Sequence, residues 1–177
     1  MASPRSDWDA TFIPGSHVLA NKLGIDDPDQ LEQLEYGLTA TAERQVLRGQ
    51  LVIDRTYDAE HLRAVHTALF ADIYDWAGKT RIYPMAKDRI GFADPAQIGA
   101  YLRAAADHIA TTDWGALAHG GLAVEAATAY AYLNTAHPWR EGTAEVQNCF
   151  CGNCSGTTGT IWTSVESPGS SGTTARR

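Results

Sequence analysis

The sequence predicts a mostly α fold: a helical bundle that carries one small β-hairpin. Three observations point to it. Four segments place apolar residues at helical spacing, each opened by an aspartate or a glycine pair. One stretch, residues 80–92, has no helical period and sets β-prone residues on either side of a polar turn. The chain has 177 residues, 44% apolar and 20% charged, enough for one sizeable core in a single domain.

Residues 1–25 are punctuated by Pro4, Pro14 and Gly15 and read as irregular. Asp27-Pro28-Asp29-Gln30 reads as a helix start: Asp27 can cap, Pro28 suits the first turn, and Gln30 stands at the capping-box position. Leu31, Leu34 and Leu38 then recur on one face, continuing through Ala42 and Val46. Asp58 opens a second helix with a stripe of Leu62, Val65, Leu69, Phe70 and Ile73, and Gly78 is its expected stop. His61 and His66 lie five apart, not at ligand-pairing spacing, so surface or core-rim positions are expected for both. Ile82, Tyr83, Ile90 and Phe92 are expected in two short strands around a Lys87-Asp88-Arg89 turn. Asp94-Pro95 opens a third helix with Ile98, Leu102, Ala105 and Ile109 inward. Gly120-Gly121 precedes a fourth, with Leu122, Ala126, Ala129 or Tyr130, and Leu133 on one face. That helix ends at His137, before Pro138.

The formal net charge of −7 argues against a general nucleic-acid binder, which shows a basic face. It leaves room for a local basic pocket. No apolar run reaches the roughly 18 residues of a membrane span, and Met1 to Phe12 carries Arg5 with no apolar region after it. No membrane association is expected, and a cytoplasmic location is the default. All three cysteines fall in Cys149-Phe150-Cys151-Gly152-Asn153-Cys154, so a disulfide framework is not expected.

The chemistry concentrates in His137-Pro138-Trp139-Arg140-Glu141-Gly142. This run resembles the front half of the active-site motif of the Fic (Fic/Doc) family, His-Pro-Phe-x-Asp/Glu-Gly-Asn-Gly-Arg-x-x-Arg, with Trp139 in place of Phe. The Tyr74-x-Trp76-Ala77-Gly78-x-x-Arg81 lead-in is similar too, and the resemblance covers residues 14 to 142. It implies a Fic-like bundle with a hairpin flap over Thr80 to Phe92. It also implies transfer of AMP from ATP to a hydroxyl of a target protein that docks on the flap as an added strand. His137 is then the general base, a role suited to a side chain with an unperturbed pKa near 6.5. Glu141 is the ligand for Mg²⁺, a hard cation held by carboxylates and phosphates. Gly142 and Thr143 begin the phosphate-binding turn that leads into a helix, and Lys87 lies near the nucleotide. A Doc-like kinase and a catalytically dead binding module are the alternatives. Thr39-Ala40-Thr41-Ala42-Glu43 partly matches the family's inhibitory motif but continues with Arg44, and reads as a coincidence on a helix face. Any restraint is then expected from a separate antitoxin-like inhibitor.

After Gly142 the match stops. Ala144 and Glu145 stand where the family has Gly and Arg, so an anion replaces the cation beside the phosphates. About half of residues 143–177 are Gly, Ser or Thr, and no helical period is expected there. The predicted division is a Fic domain over 1–142 and an aberrant segment over 143–177. Three readings of that segment stand: a disordered tail; a metal site on Cys149, Cys151 and Cys154, which offers three thiols and no nearby histidine; and a shifted reading frame. Joining the last base of each codon to the first two of the next lets Thr143-Ala144 yield Gly and Ala144-Glu145 yield Arg. Asn148-Cys149 must yield Leu. The recovered text can read Gly-Arg-x-x-Lys-Leu-Phe-Leu-Arg, an amphipathic helix that begins with the missing Gly-Arg. On this reading the parent protein is a working enzyme, and the chain as written is impaired.

Overall fold

The computed structural model describes residues 4–87 and 90–155. Its elements run α1 (Pro4–Asp9), α2 (Pro28–Leu47), α3 (Ala59–Phe70), β1 (Ala86–Lys87), β2 (Ile90–Gly91), a 3₁₀ turn (Pro95–Gln97), α4 (Ile98–Thr111), α5 (His119–Ala136) and α6 (Thr143–Ser155). The architecture is the expected one, mostly α with a small hairpin. Helices α2, α3 and α6 pack on one another, and α4 packs on α5. The core between them is built on Val65, Phe70, Ile73, Ile98, Ala136, Trp139, Val146 and Phe150.

The caps form as the sequence indicates. The Asp27 carboxylate accepts from Gln30 N–H at 2.8 Å, and that of Asp58 accepts from Glu60 and His61 N–H. Each satisfies donors that the first helical turn leaves free. Helix α3 stops at Phe70, well before Gly78. The carbonyls of Ala71 and Ile73 accept from the Lys22 side chain and the Lys22 backbone N–H, so the N-terminal segment replaces the helix ladder there. Gly78 instead makes a left-handed turn after the helix, at φ 76°. Helix α5 begins at His119 and includes both glycines. Of the two candidates for its inner face, Ala129 is buried and Tyr130 is exposed.

The hairpin is shorter than expected. Its register pairs Ala86 with Gly91 and Lys87 with Ile90. Lys87 therefore lies in a strand and not in the turn, and Ile82 and Tyr83 precede the strands. Asp88 and Arg89 lie outside the described residues. The largest departure is α6. Residues 143–155 continue the domain past position 142, with Val146, Cys149 and Phe150 buried. Those three positions hold helical spacing, a signal masked when 143–177 is read as one Gly/Ser/Thr-rich block. Cys149 is a free, buried thiol whose pKa burial pushes up to about 11. Cys151 and Cys154 lie in the same helix, with side chains outside the described residues. Among the described residues no group of three or more His, Cys, Asp or Glu could hold a metal ion. No helix among them is long and apolar enough to cross a membrane.

Candidate active site

Helix α5 delivers His137 at its C-terminal cap, in the left-handed region at φ 37° and ψ 65°. The imidazole stacks on Phe92 just after β2, with ring centroids 3.7 Å apart. Its Nδ1 is buried without a protein partner. Burial, with the Arg81 and Lys87 charges adding to it, lowers its pKa to about 4. The ring is therefore neutral at pH 7, the form that can accept a proton.

Five residues on, the chain turns at Gly142, with φ 79°, and enters α6. The free N–H groups of the first turn of α6 follow that glycine, a geometry suited to anions. The Glu141 carboxyl beside it is partly exposed and pairs with Arg140 at 3.0 Å. Burial raises its pKa; Arg140 lowers it, Glu145 raises it and Lys87 lowers it. Arg140 in turn lies over the Trp8 ring, 3.9 Å from its centroid.

Of the predicted residues, His137, Glu141 and Gly142 share the α5–α6 loop, and the charge of Lys87 acts on both His137 and Glu141. Thr143 opens α6 directly after that turn. Its side chain is buried, its hydroxyl has no protein partner, and the residue lines a small cavity together with Leu62, Leu133, Trp139 and Gln147. Only its backbone N–H remains available to a phosphate.

Two residues to which the sequence assigned no contact hold the loop. His66, expected at the surface or rim, is fully buried between the rings of Phe70 and Trp139, at 4.8 and 4.3 Å. Gly78 N–H donates to its Nδ1 at 2.8 Å, so the ring proton sits on Nε2 and donates to the Glu141 carbonyl at 3.2 Å. His61 is equally buried, against Phe150. The second residue is Arg81, buried beneath the loop with its guanidinium donating to His137 O at 2.7 Å. Neither contact has a local sequence signal, since each bridges more than fifty residues.

Acidic side chains crowd the mouth. Glu35 is raised mainly by burial and also by Glu141 and Glu145, and Glu43 by burial and then Glu145. Glu43 and Glu145 thus repel each other where α2 packs on α6.

Burial also holds the His66 pKa down to about 4, which makes a stability prediction. The unfolded chain takes up this proton near pH 6.5 and the folded one only near 4, so stability is complete above about pH 6.5 and falls as pH drops toward 4. The contribution is on the order of 3 kcal/mol. Urea unfolding across that window should show a slope about one proton shallower in His66→Gln; an identical slope would contradict the assignment.

Residues 56–150 match the sequence model of the Fic/DOC family. The chain is 33% identical over 148 residues to a probable protein adenylyltransferase, y4lH, of Sinorhizobium fredii, covering 80% of this chain and 72% of that one. It is 32% identical over 130 residues to the protein adenylyltransferase VbhT of Bartonella schoenbuchensis, covering 73% of this chain and 27% of that one. Among solved structures, the N-terminal Fic domain of a VirB-translocated effector from Bartonella sp. AR 15-3 superposes with a TM-score of 0.70 at 28% identity, covering 80% and 69% of the two chains. A Fic domain from Bartonella quintana with bound ADP gives 0.67 at 25% identity, covering 80% and 75%. The family match spans more than half of the sequence and carries the whole His137–Gly142 loop together with the α6 turn behind it, so the chain belongs to the Fic/DOC family.

Proposed function

We propose that the chain is a protein AMP transferase of the Fic type, moving AMP from ATP to a side-chain hydroxyl of a target protein. The observation that carries this is the pairing of a neutral His137 with an anion-binding turn at Gly142 on one short loop. The target hydroxyl loses its proton to His137 as its oxygen attacks the α-phosphorus. The bond to the bridging oxygen breaks and pyrophosphate leaves. The relatives named adenylyltransferases and the ADP-bound Fic domain support this reading.

The residues present fit Mg²⁺. Glu141 offers a partly exposed carboxyl that Glu145 repels and that carries one cationic partner. When bound, the metal would neutralise charge on the phosphates. Lys87 of the hairpin adds a cation on the same side. The target is expected on the flap, and the net charge of −7 argues against a general nucleic-acid binder.

The chain as written holds its nucleotide weakly on this proposal, because Glu145 opposes the phosphates. A shifted frame near codon 144 accounts for it. Gln147 is buried with its amide nitrogen unpartnered, a costly arrangement. In the shifted frame the Val146-Gln147 codons can give only Ser, Pro, Thr or Ala, all small. Resequencing the gene over codons 138–177 decides it: an unshifted read on both strands removes the frame explanation.

Incubation with ATP·Mg²⁺ labelled at either phosphate tests the activity. Label from the α-phosphate, absent in His137→Ala, is the expected result. Label from the γ-phosphate instead would make the chain a Doc-like kinase. A cooperatively folding chain with neither label nor an ATP-dependent thermal shift would make it a binding module.

A further inference from the structure

The buried Arg81 side chain is spent on main-chain carbonyls. Its Nε donates to His137 O at 2.7 Å, its Nη1 to Tyr83 O at 2.8 Å, and its Nη2 to Ala93 O at 2.6 Å and Ala136 O at 3.2 Å. Its backbone N–H donates to Pro138 O at 2.8 Å, and Ala93 N–H donates to Thr135 O at 2.8 Å. Carbonyls at the end of α5 lack partners within the helix, and here Arg81 and Ala93 supply them. The cation also sits at the negative end of the α5 dipole. Among the described residues it forms no ion pair with a carboxylate; Tyr83 and Asp94 act on it electrostatically.

Tyr83 and Ala93 are the two feet of the hairpin, and Ala136 and His137 end α5. One planar fork therefore fixes the flap and the base-bearing residue to each other. We propose that Arg81 is the positioning residue that locks the flap to the His137 end of α5, setting where a flap-bound hydroxyl meets the imidazole. This rests on the AMP-transferase reading for its use, though not for its existence. Lysine at position 81 keeps a charge but cannot serve four carbonyls in two directions. Phe92, the flap residue stacked on His137, is held through the adjacent Ala93.

Proton NMR of the His137 ring tests this in the unliganded chain, with His137→Ala identifying its signals. In the wild type they carry the upfield shift of a ring stacked on Phe92. In Arg81→Gln they are expected to move to free-histidine positions, while amide exchange at Ala93 speeds by about tenfold or more and the rest of α4 and α5 keeps its protection. In Arg81→Lys the same changes are expected in smaller degree, which keeps the test open if Arg81→Gln does not fold. The His137 titration midpoint should also rise in Arg81→Gln, with Lys87 remaining as the other cation that acts on the ring. Wild-type ring shifts in the variants, with exchange raised evenly across α5 and the hairpin, would overturn the proposal and leave Arg81 a general stabiliser. If the wild type gives no ATP·Mg²⁺ binding while Arg81→Gln still frees His137, the functional reading falls and the coupling stands.

Discussion

Gly142→Ala is expected to destabilise the domain by about 2–5 kcal/mol, from a left-handed backbone and an overfilled site together. The backbone there has φ 79°, and an added Cβ would lie 2.2 Å from Phe70 Cε2 and 2.3 Å from Cζ. Phe70 cannot give way easily. It is fully buried, with His66 stacked on one side and Tyr74 near the other. The alternative is for the loop to move, which would break the His66 bond to Glu141 O. A small domain has only about 5–15 kcal/mol in hand, so thermal unfolding should fall by roughly 10 °C. A change within about 2 °C would show that the loop relaxes freely, and would remove its claim to be a rigid phosphate seat.

Ala144→Gly with Glu145→Arg is expected to tighten ATP·Mg²⁺ binding by about 30-fold or more. The change turns an exposed anion in the first turn of α6 into a cation that can make charge-assisted bonds to phosphate, each worth about 1.5–3 kcal/mol. It also lifts the repulsion that Glu145 exerts on Glu141, Glu35 and Glu43. Titration calorimetry of the folded variant beside the wild type reads this directly. Equal affinities would place the phosphates away from α6. Because Ala144 and Glu145 are both exposed, the core beneath should tolerate the exchange.

What the sequence made legible follows physical range. The caps at Asp27 and Asp58, the apolar stripes of α3 to α5 and the halt at His137-Pro138 are local matters, and each forms. The His137–Gly142 loop was legible because six consecutive residues carry it. The contacts of His66 and of Arg81, a residue the lead-in motif had singled out, were not, because they are made to partners 75 and 56 positions away. Helix α6 was missed for a different reason. Val146, Cys149 and Phe150 supply a full apolar face, but the segment beyond them dilutes that pattern. The burial of the Thr143 side chain was not legible, because its position in the motif gave no indication which way its hydroxyl points. The residue lines a small cavity with Leu62 and Gln147, leaving the backbone as the only donor there.

The most direct test of the account is transfer of α-phosphate label by the Ala144→Gly/Glu145→Arg chain, run with and without His137→Ala in a lysate that supplies acceptor proteins. The account predicts α-label in protein well above the wild-type level, and its loss when His137 is replaced. Absence of α-label despite tight nucleotide binding, or label that persists without His137, would contradict it.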